Sequence, residues 1–212
     1  MPEVKSMKYF IVGYMASGKS TFGKELAKDK GLPFLDLDES VESREGRSIS
    51  EIFAKEGEEY FRKREREILH EICNEADEFV LATGGGTPCF FDNMDYMNQE
   101  GTTVFLNTSS LVIVDRLKRQ RSNRPLLAMY SDNELEFFVR EHLESRLSFY
   151  LKAKEQVYRD IFFLFRHLYY SFRGNQAWKS SAIASSFIFE PITQSLPIVL
   201  ALPVRTSGTP GT

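Results

Sequence analysis

Short apolar runs alternate with longer amphipathic stretches through the first 160 positions of the chain. The runs at 8–13, 33–38, 79–83 and 102–107 have the length, the β-branched and aromatic content and the polar or glycine boundaries that predict strands. Between them, apolar positions recur at helical spacing. One helix follows the run at 8–13 and continues to about Lys30, where Gly31 is a ready C-cap residue. Ser48 and Glu51 form a capping box that opens a helix through Phe53, and a richly charged helix covers 58–75. A further helix begins near Ser109 or Ser110 and carries Leu111, Val114 and Leu117. A second capping box, Ser131 with Glu134, opens a helix through Phe137, Phe138, Leu143 and Leu147 toward Val157. Alternation of this kind predicts an α/β fold of three layers, α/β/α, around a central and mainly parallel sheet.

The pattern breaks after Asp160. Residues 161–212 hold four basic side chains against one acid, Glu190, whereas residues 1–160 hold 23 basic and 29 acidic side chains. Pro191, Pro197, Pro203 and Pro210 punctuate this segment. The aromatic stretch 161–172 is interrupted by Arg166 and His167 and is too short to span a bilayer. The chain therefore divides into a domain over 1–160 and an atypical tail over 161–212.

Composition narrows the function classes. The 212 residues are 42% hydrophobic and 27% charged with a net charge of −3, which suits a soluble globular protein and gives no clustered basic face for nucleic acid. Cys73 and Cys89 have no metal-ligand spacing, and Cys73 lies among Ile68, Leu69 and Ile72 as a core residue would. The first residues lack the apolar stretch of a secretory signal, so a cytoplasmic protein with no membrane partner is expected, and Met7 is a possible natural start.

The candidate chemistry begins between the first strand and the first helix. Residues 13–20 match the glycine-rich phosphate loop, with Gly13 and Gly18 freeing the backbone, Lys19 reaching the terminal phosphates and Ser20 facing a magnesium ion. Asp36 and Asp38 close the second strand two residues apart. Alternation would put both carboxylates on one side, at the strand end where an open α/β sheet binds ligands. One would hold the metal's water shell and the other would take a proton from, or orient, an attacking hydroxyl. Gly84, Gly85 and Gly86 follow the third strand at the same edge, as close approach of a ligand to bare backbone would require. Arg116, Arg119, Arg121 and Arg124 crowd into nine residues without apolar periodicity, which predicts a mobile flap closing over bound nucleotide.

Taken together these segments resemble the shikimate kinases, small phosphate-loop kinases with a nucleoside-monophosphate-kinase-like fold. The resemblance rests on 13–21, 34–38, 45–53, 59–62 with Glu65, 83–86, 124–127, and Arg146 with Tyr150, in family order over roughly 7–160. It implies ATP-dependent, magnesium-assisted phosphorylation of the 3-hydroxyl of shikimate by a monomer. The loop residues Gly13, Ala16, Ser17, Gly18, Lys19, Ser20 and Thr21 would bind nucleotide, with Ser20 and Asp36 on the metal side. Asp38 would bind substrate hydroxyls and act as base, while Arg62, Arg146 and the Gly84, Gly85 and Gly86 backbone would hold shikimate. Lys19 and Arg124 would act on the transferring phosphoryl group, and Arg116 or Arg119 would stack on adenine. Ala16 stands where the family often has glycine, and the family's last strand, adenine-contacting loop and closing helix are not recognisable from Ile161 onward. A gluconate-type kinase and a degenerate nucleotide-binding module are the alternative readings.

Overall fold

Five parallel strands are ordered β2-β3-β1-β4-β5, with β1 (Met7–Val12) in the middle. The computed structural model describes residues 7–120 and 130–158. Arg124, the tail over 161–212 and the division at residue 160 lie outside the described residues. β2 is Phe34–Asp36, β3 Glu78–Ala82, β4 Thr102–Asn107 and β5 Glu155–Tyr158. Register brings Ile11 and Asp36 level with Ala82, and Val12 level with Phe105, so the carboxyl ends of four strands open onto one rim. The chain leaves β1 toward β2 on one side and β3 toward β4 on the other. That reversal places the ligand crevice between the loops after β1 and β3.

Strand alternation divides the core cleanly. Phe10, Val12, Phe79, Leu81 and Phe105 face one side of the sheet, and Ile11, Val80, Val104, Leu106 and Val157 face the other. The second face packs on α1 (Lys19–Lys30) through Phe22 and Ala27, and Gly31 ends that helix in the left-handed conformation. The first face is covered by α3 (Ile49–Glu75), α4 (Asn93–Glu100), α5 (Ser110–Arg119) and α6 (Asp132–Tyr150). The two strand-bounded layers are thus those the sequence predicts.

Both capping boxes form with both of their hydrogen bonds, at Ser48 with Glu51 and at Ser131 with Glu134. The helices expected around Phe53 and over 58–75 run together as α3, interrupted at Gly57, whose φ of 81° is non-helical. Glu45, at the end of α2 (Leu37–Glu45), accepts from Arg64 Nε at 2.7 Å and from Arg47 and Tyr60 at 3.1 Å, clipping α2 to the helix that carries Arg62.

Three expectations are corrected. The helix after Ser131 ends at Tyr150 and does not reach Val157, because the chain turns at 151–154 and enters β5, which pairs with β4 through Leu106 and Val157. The second strand stops at Asp36, and Asp38 stands in the first turn of α2. Leu111 is exposed on α5, where Val112, Ile113, Val114 and Leu117 form the buried face.

Candidate active site

The phosphate loop folds around its own second residue. The carbonyl of Tyr14 accepts from Lys19 Nζ at 2.9 Å and from the Ser17 N–H at 3.2 Å. Arg116 on α5 donates to the carbonyls of Ala16 at 2.9 Å and Ser17 at 2.6 Å, and Thr108 donates to Ser17 at 3.2 Å. With those carbonyls taken, the loop offers a ligand mainly N–H donors at the N-terminus of α1, where the helix dipole favours an anion. Ala16 has φ of 58°, a left-handed conformation that explains why glycine suits the position and why only a small side chain replaces it at modest cost. Ser17 Oγ is buried with no hydrogen-bond partner among the described residues.

Asp36 links the loop to the acids beyond β2. Its Oδ1 accepts the Asp38 N–H at 3.1 Å, capping α2, and its Oδ2 accepts from Ser20 Oγ at 2.8 Å. The two aspartates share the cleft because Asp36 caps the helix on which Asp38 stands, not through alternation along a strand. Ser20 and Asp36 supply a hydroxyl and a carboxylate side by side, a hard-oxygen pair that fits a magnesium ion holding its other positions with water and phosphate oxygens. Among the described residues no group of three or more His, Cys, Asp or Glu side chains could cage a metal.

Asp38 is the most perturbed acid of the site. Burial, then the nearby Glu65 and Asp36 carboxylates, push its pKa up to about 6, while Lys19 and Arg62 act in the opposite direction. Lys19 and Arg62 therefore flank one carboxylate from two different elements. Glu65 is fully buried and accepts from Arg62 Nη1 at 2.9 Å and Thr87 Oγ1 at 2.5 Å. Sequence position alone gives Glu65 no role. The available signal was its place three residues after Arg62, on the face of the charged helix that also carries Phe61, Ile68 and Leu69.

The glycine run explains how these groups come so close. A Cβ on Gly84 would lie 2.8 Å from Glu65 Oε1 and 2.9 Å from Asp38 Oδ1, and one on Gly86 would lie 2.6 Å from Arg62 Nη2. A Cβ on Gly85 would meet the Met15 backbone nitrogen at 3.0 Å, so this loop leans on the phosphate loop as well. Arg62 is held over the Phe90 ring at 4.2 Å and the Phe61 ring at 4.9 Å, and it also donates to Glu58.

Arg146 comes to the same place from α6. The Cys89 thiol is pushed up by burial and drawn down by Arg146 and Arg62, so both cations lie within electrostatic range of it. Tyr150, one turn beyond Arg146, donates to the Gly85 carbonyl at 2.6 Å. An open cleft of about 780 Å³ is lined by the loop from Met15 to Thr21 and by Asp36, Asp38, Thr83, Gly85 and Arg116. Of the two α5 arginines considered for adenine, Arg116 lines this cleft. Arg119 is turned to solvent by its partner one helical turn back, Asp115, at 2.9 Å. Both are helical residues, so the flap expected from arginine crowding does not include them, and Arg121 and Arg124 fall outside the described residues.

A family model described as shikimate kinase matches residues 15–160. The chain belongs to the shikimate kinase family. A shikimate kinase of Parabacteroides distasonis is 50% identical over 146 residues, covering 69% of this chain and 84% of that protein. The crystal structure of shikimate kinase from Bacteroides thetaiotaomicron superimposes with a TM-score of 0.66 at 40% identity, over 73% of this chain and 86% of that one. A shikimate kinase from Acinetobacter baumannii, solved in complex with shikimate, gives 0.64 at 35% identity, over 72% and 84% of the two chains.

Proposed function

We infer that the chain transfers the γ-phosphoryl group of ATP to the 3-hydroxyl of shikimate, giving shikimate 3-phosphate and ADP. The observation that carries this reading is that Asp38 lines the phosphate-loop cleft with Lys19 and comes together at Gly84 with Glu65, the carboxylate to which Arg62 donates, while Arg146 lies within electrostatic range of the same loop at Cys89. A base stands where a polyphosphate site meets a carboxylate site. Two guanidinium groups suit the shikimate carboxylate, since planar donors form paired hydrogen bonds with an acid and discriminate it from neutral sugars.

Each residue then has a task. Gly13 and the loop residues from Ala16 to Thr21 bind the phosphates, and Lys19 offsets the charge that develops as the bridging P–O bond breaks and its electrons pass to ADP. Asp38 accepts the proton of the 3-hydroxyl as that oxygen bonds to phosphorus, and its raised pKa makes it a stronger base than an ordinary carboxylate. Ser20 and Asp36 would hold magnesium, which when bound neutralises phosphate charge. Arg62 and Arg146 anchor the acid, with Glu65 and Thr87 keeping Arg62 in place. The backbone of Gly84, Gly85 and Gly86 contacts the ring hydroxyls. Arg124 supplies further charge to the phosphoryl group, and Arg116 is the α5 guanidinium placed to meet the nucleotide, in preference to Arg119.

The same reading makes the protein a cytoplasmic monomer without nucleic-acid or membrane partners. No described helix is long and apolar enough to cross a membrane. The direct test mixes purified protein and magnesium ATP with shikimate, gluconate or a nucleoside monophosphate in turn and measures ADP. Release with shikimate alone is expected, and a folded, ATP-binding sample inert toward shikimate would overturn the proposal.

Two results should accompany that activity. Lys19→Ala is expected to lower kcat by about a hundredfold, the scale of one lost transition-state donor, with a smaller change in shikimate KM. The profile of kcat/KM against pH should fall on its acid side through about pH 6, where Asp38 in the free protein gains its proton. An acid limb near pH 4 would place the base elsewhere.

A further inference from the structure

The phosphate loop and α6 are joined by a contact that the roles above leave unused. Tyr14 is 1% exposed, and its hydroxyl lies 2.9 Å from Nδ1 of His142 on α6. The two rings also pack edge to face, with centroids 5.6 Å apart. Burial, then Arg146, lowers the pKa of His142, while Glu58 acts to raise it. Burial pushes the Tyr14 hydroxyl up to about 12 against a lowering by Arg146. The imidazole is therefore neutral and the phenol protonated near neutral pH, and a single hydrogen bond joins the hydroxyl to Nδ1 in either tautomer.

The bond has a partner one and two turns away. Phe138, His142, Arg146 and Tyr150 follow one another at intervals of four along α6 and so share a face. Phe138 packs on His142 with centroids 5.0 Å apart and stacks on Tyr130. At the far end Tyr150 bonds the Gly85 carbonyl. Arg146 thus lies between two clips, one on the phosphate loop and one on the glycine run. Tyr14 is also the residue whose carbonyl holds Lys19.

We propose that His142 is a positioning residue: through Tyr14 it ties the helix bearing Arg146 to the phosphate loop, so that the nucleotide and carboxylate subsites adjust to each other. The proposal rests on the reading of Arg146 as a carboxylate anchor. A ligand that fixes the loop then fixes the anchor, and the effect is reciprocal. Leucine at 142 fills space without the bond. Asparagine carries a polar atom where Nδ1 stood. Phenylalanine at 14 deletes only the hydroxyl.

His142→Leu is expected to raise the shikimate KM about five- to tenfold, the scale of one buried hydrogen bond, with kcat within about twofold. Tyr14→Phe should match it, the double variant should be no worse than either, and His142→Asn should restore most of the affinity. An unchanged KM, multiplying effects in the double variant, or a parallel fall in kcat without rescue by asparagine would each overturn the proposal. Should His142→Leu fail to fold, Tyr14→Phe carries the test. Amide hydrogen exchange in α6 separates this idea from the substrate assignment. Adding magnesium ATP should slow exchange around Arg146 in the parent and less so in Tyr14→Phe, whatever acid is the substrate. Equal slowing in both proteins would refute the link even if shikimate is turned over.

Discussion

Asparagine at position 38 is expected to abolish turnover and to make the folded chain more stable. Loss of a positioned base costs about 10²- to 10⁴-fold in rate. The stability gain has a separate origin. A carboxyl whose pKa rises from 3.8 to about 6 on folding carries an unfavourable contribution at neutral pH, because its ionised form is better accommodated in the unfolded chain. At 1.36 kcal/mol per pKa unit the shift would amount to roughly 3 kcal/mol, but Asp38 is exposed at the mouth of an open cleft, so solvent screening leaves about 1 kcal/mol to be regained. The sign fixes the pH window. The penalty is absent below about pH 4, grows between pH 4 and 6, and is complete above that range. Urea unfolding of parent and Asp38→Asn at pH 7.5 and at pH 4 should show a gain of about 1 kcal/mol at the first and almost none at the second. Equal gains at both would mean that electrostatic relief is not the cause.

Arg62→Ala should do the opposite to stability while striking binding. Truncating one partner of a desolvated charged hydrogen bond costs about 2–5 kcal/mol in affinity, so the shikimate KM is expected to rise by about a hundredfold or more, with a lesser fall in kcat. The variant also leaves Glu65, which is fully buried, without its guanidinium. Breaking such a pair destabilises by about 3 kcal/mol. The double variant Arg62→Ala with Glu65→Gln separates the two effects: stability should recover and affinity should not. Recovery of both would show that Arg62 serves the fold and not the substrate.

Legibility of the fold followed local signals. Phosphate-loop spacing, two capping boxes and the Gly31 stop each arise from a few neighbouring residues, and each forms as the sequence predicts. β5 was not legible, because only Val157 of its four residues is buried and its identity as a strand comes from pairing with β4. Asp36 and Asp38 line one cleft through a cap bond, which leaves no mark on strand periodicity. The site's remaining parts are long-range. Glu65, Thr87 and Gly84 meet across three elements, and Tyr14 meets His142 across 128 positions, distances over which sequence spacing carries no signal.

The glycine run bears on how such a protein could change its diet. A side chain at 84 or 86 would push Asp38, Glu65 or Arg62 out of place and one at 85 would crowd the backbone at Met15, so larger residues there disturb the site before any molecule is bound. A descendant selected for another acid would keep all three glycines. Its adaptation would have to be written at side chains beside the run, such as the half-buried Cys89, so the run itself is a poor guide to diet.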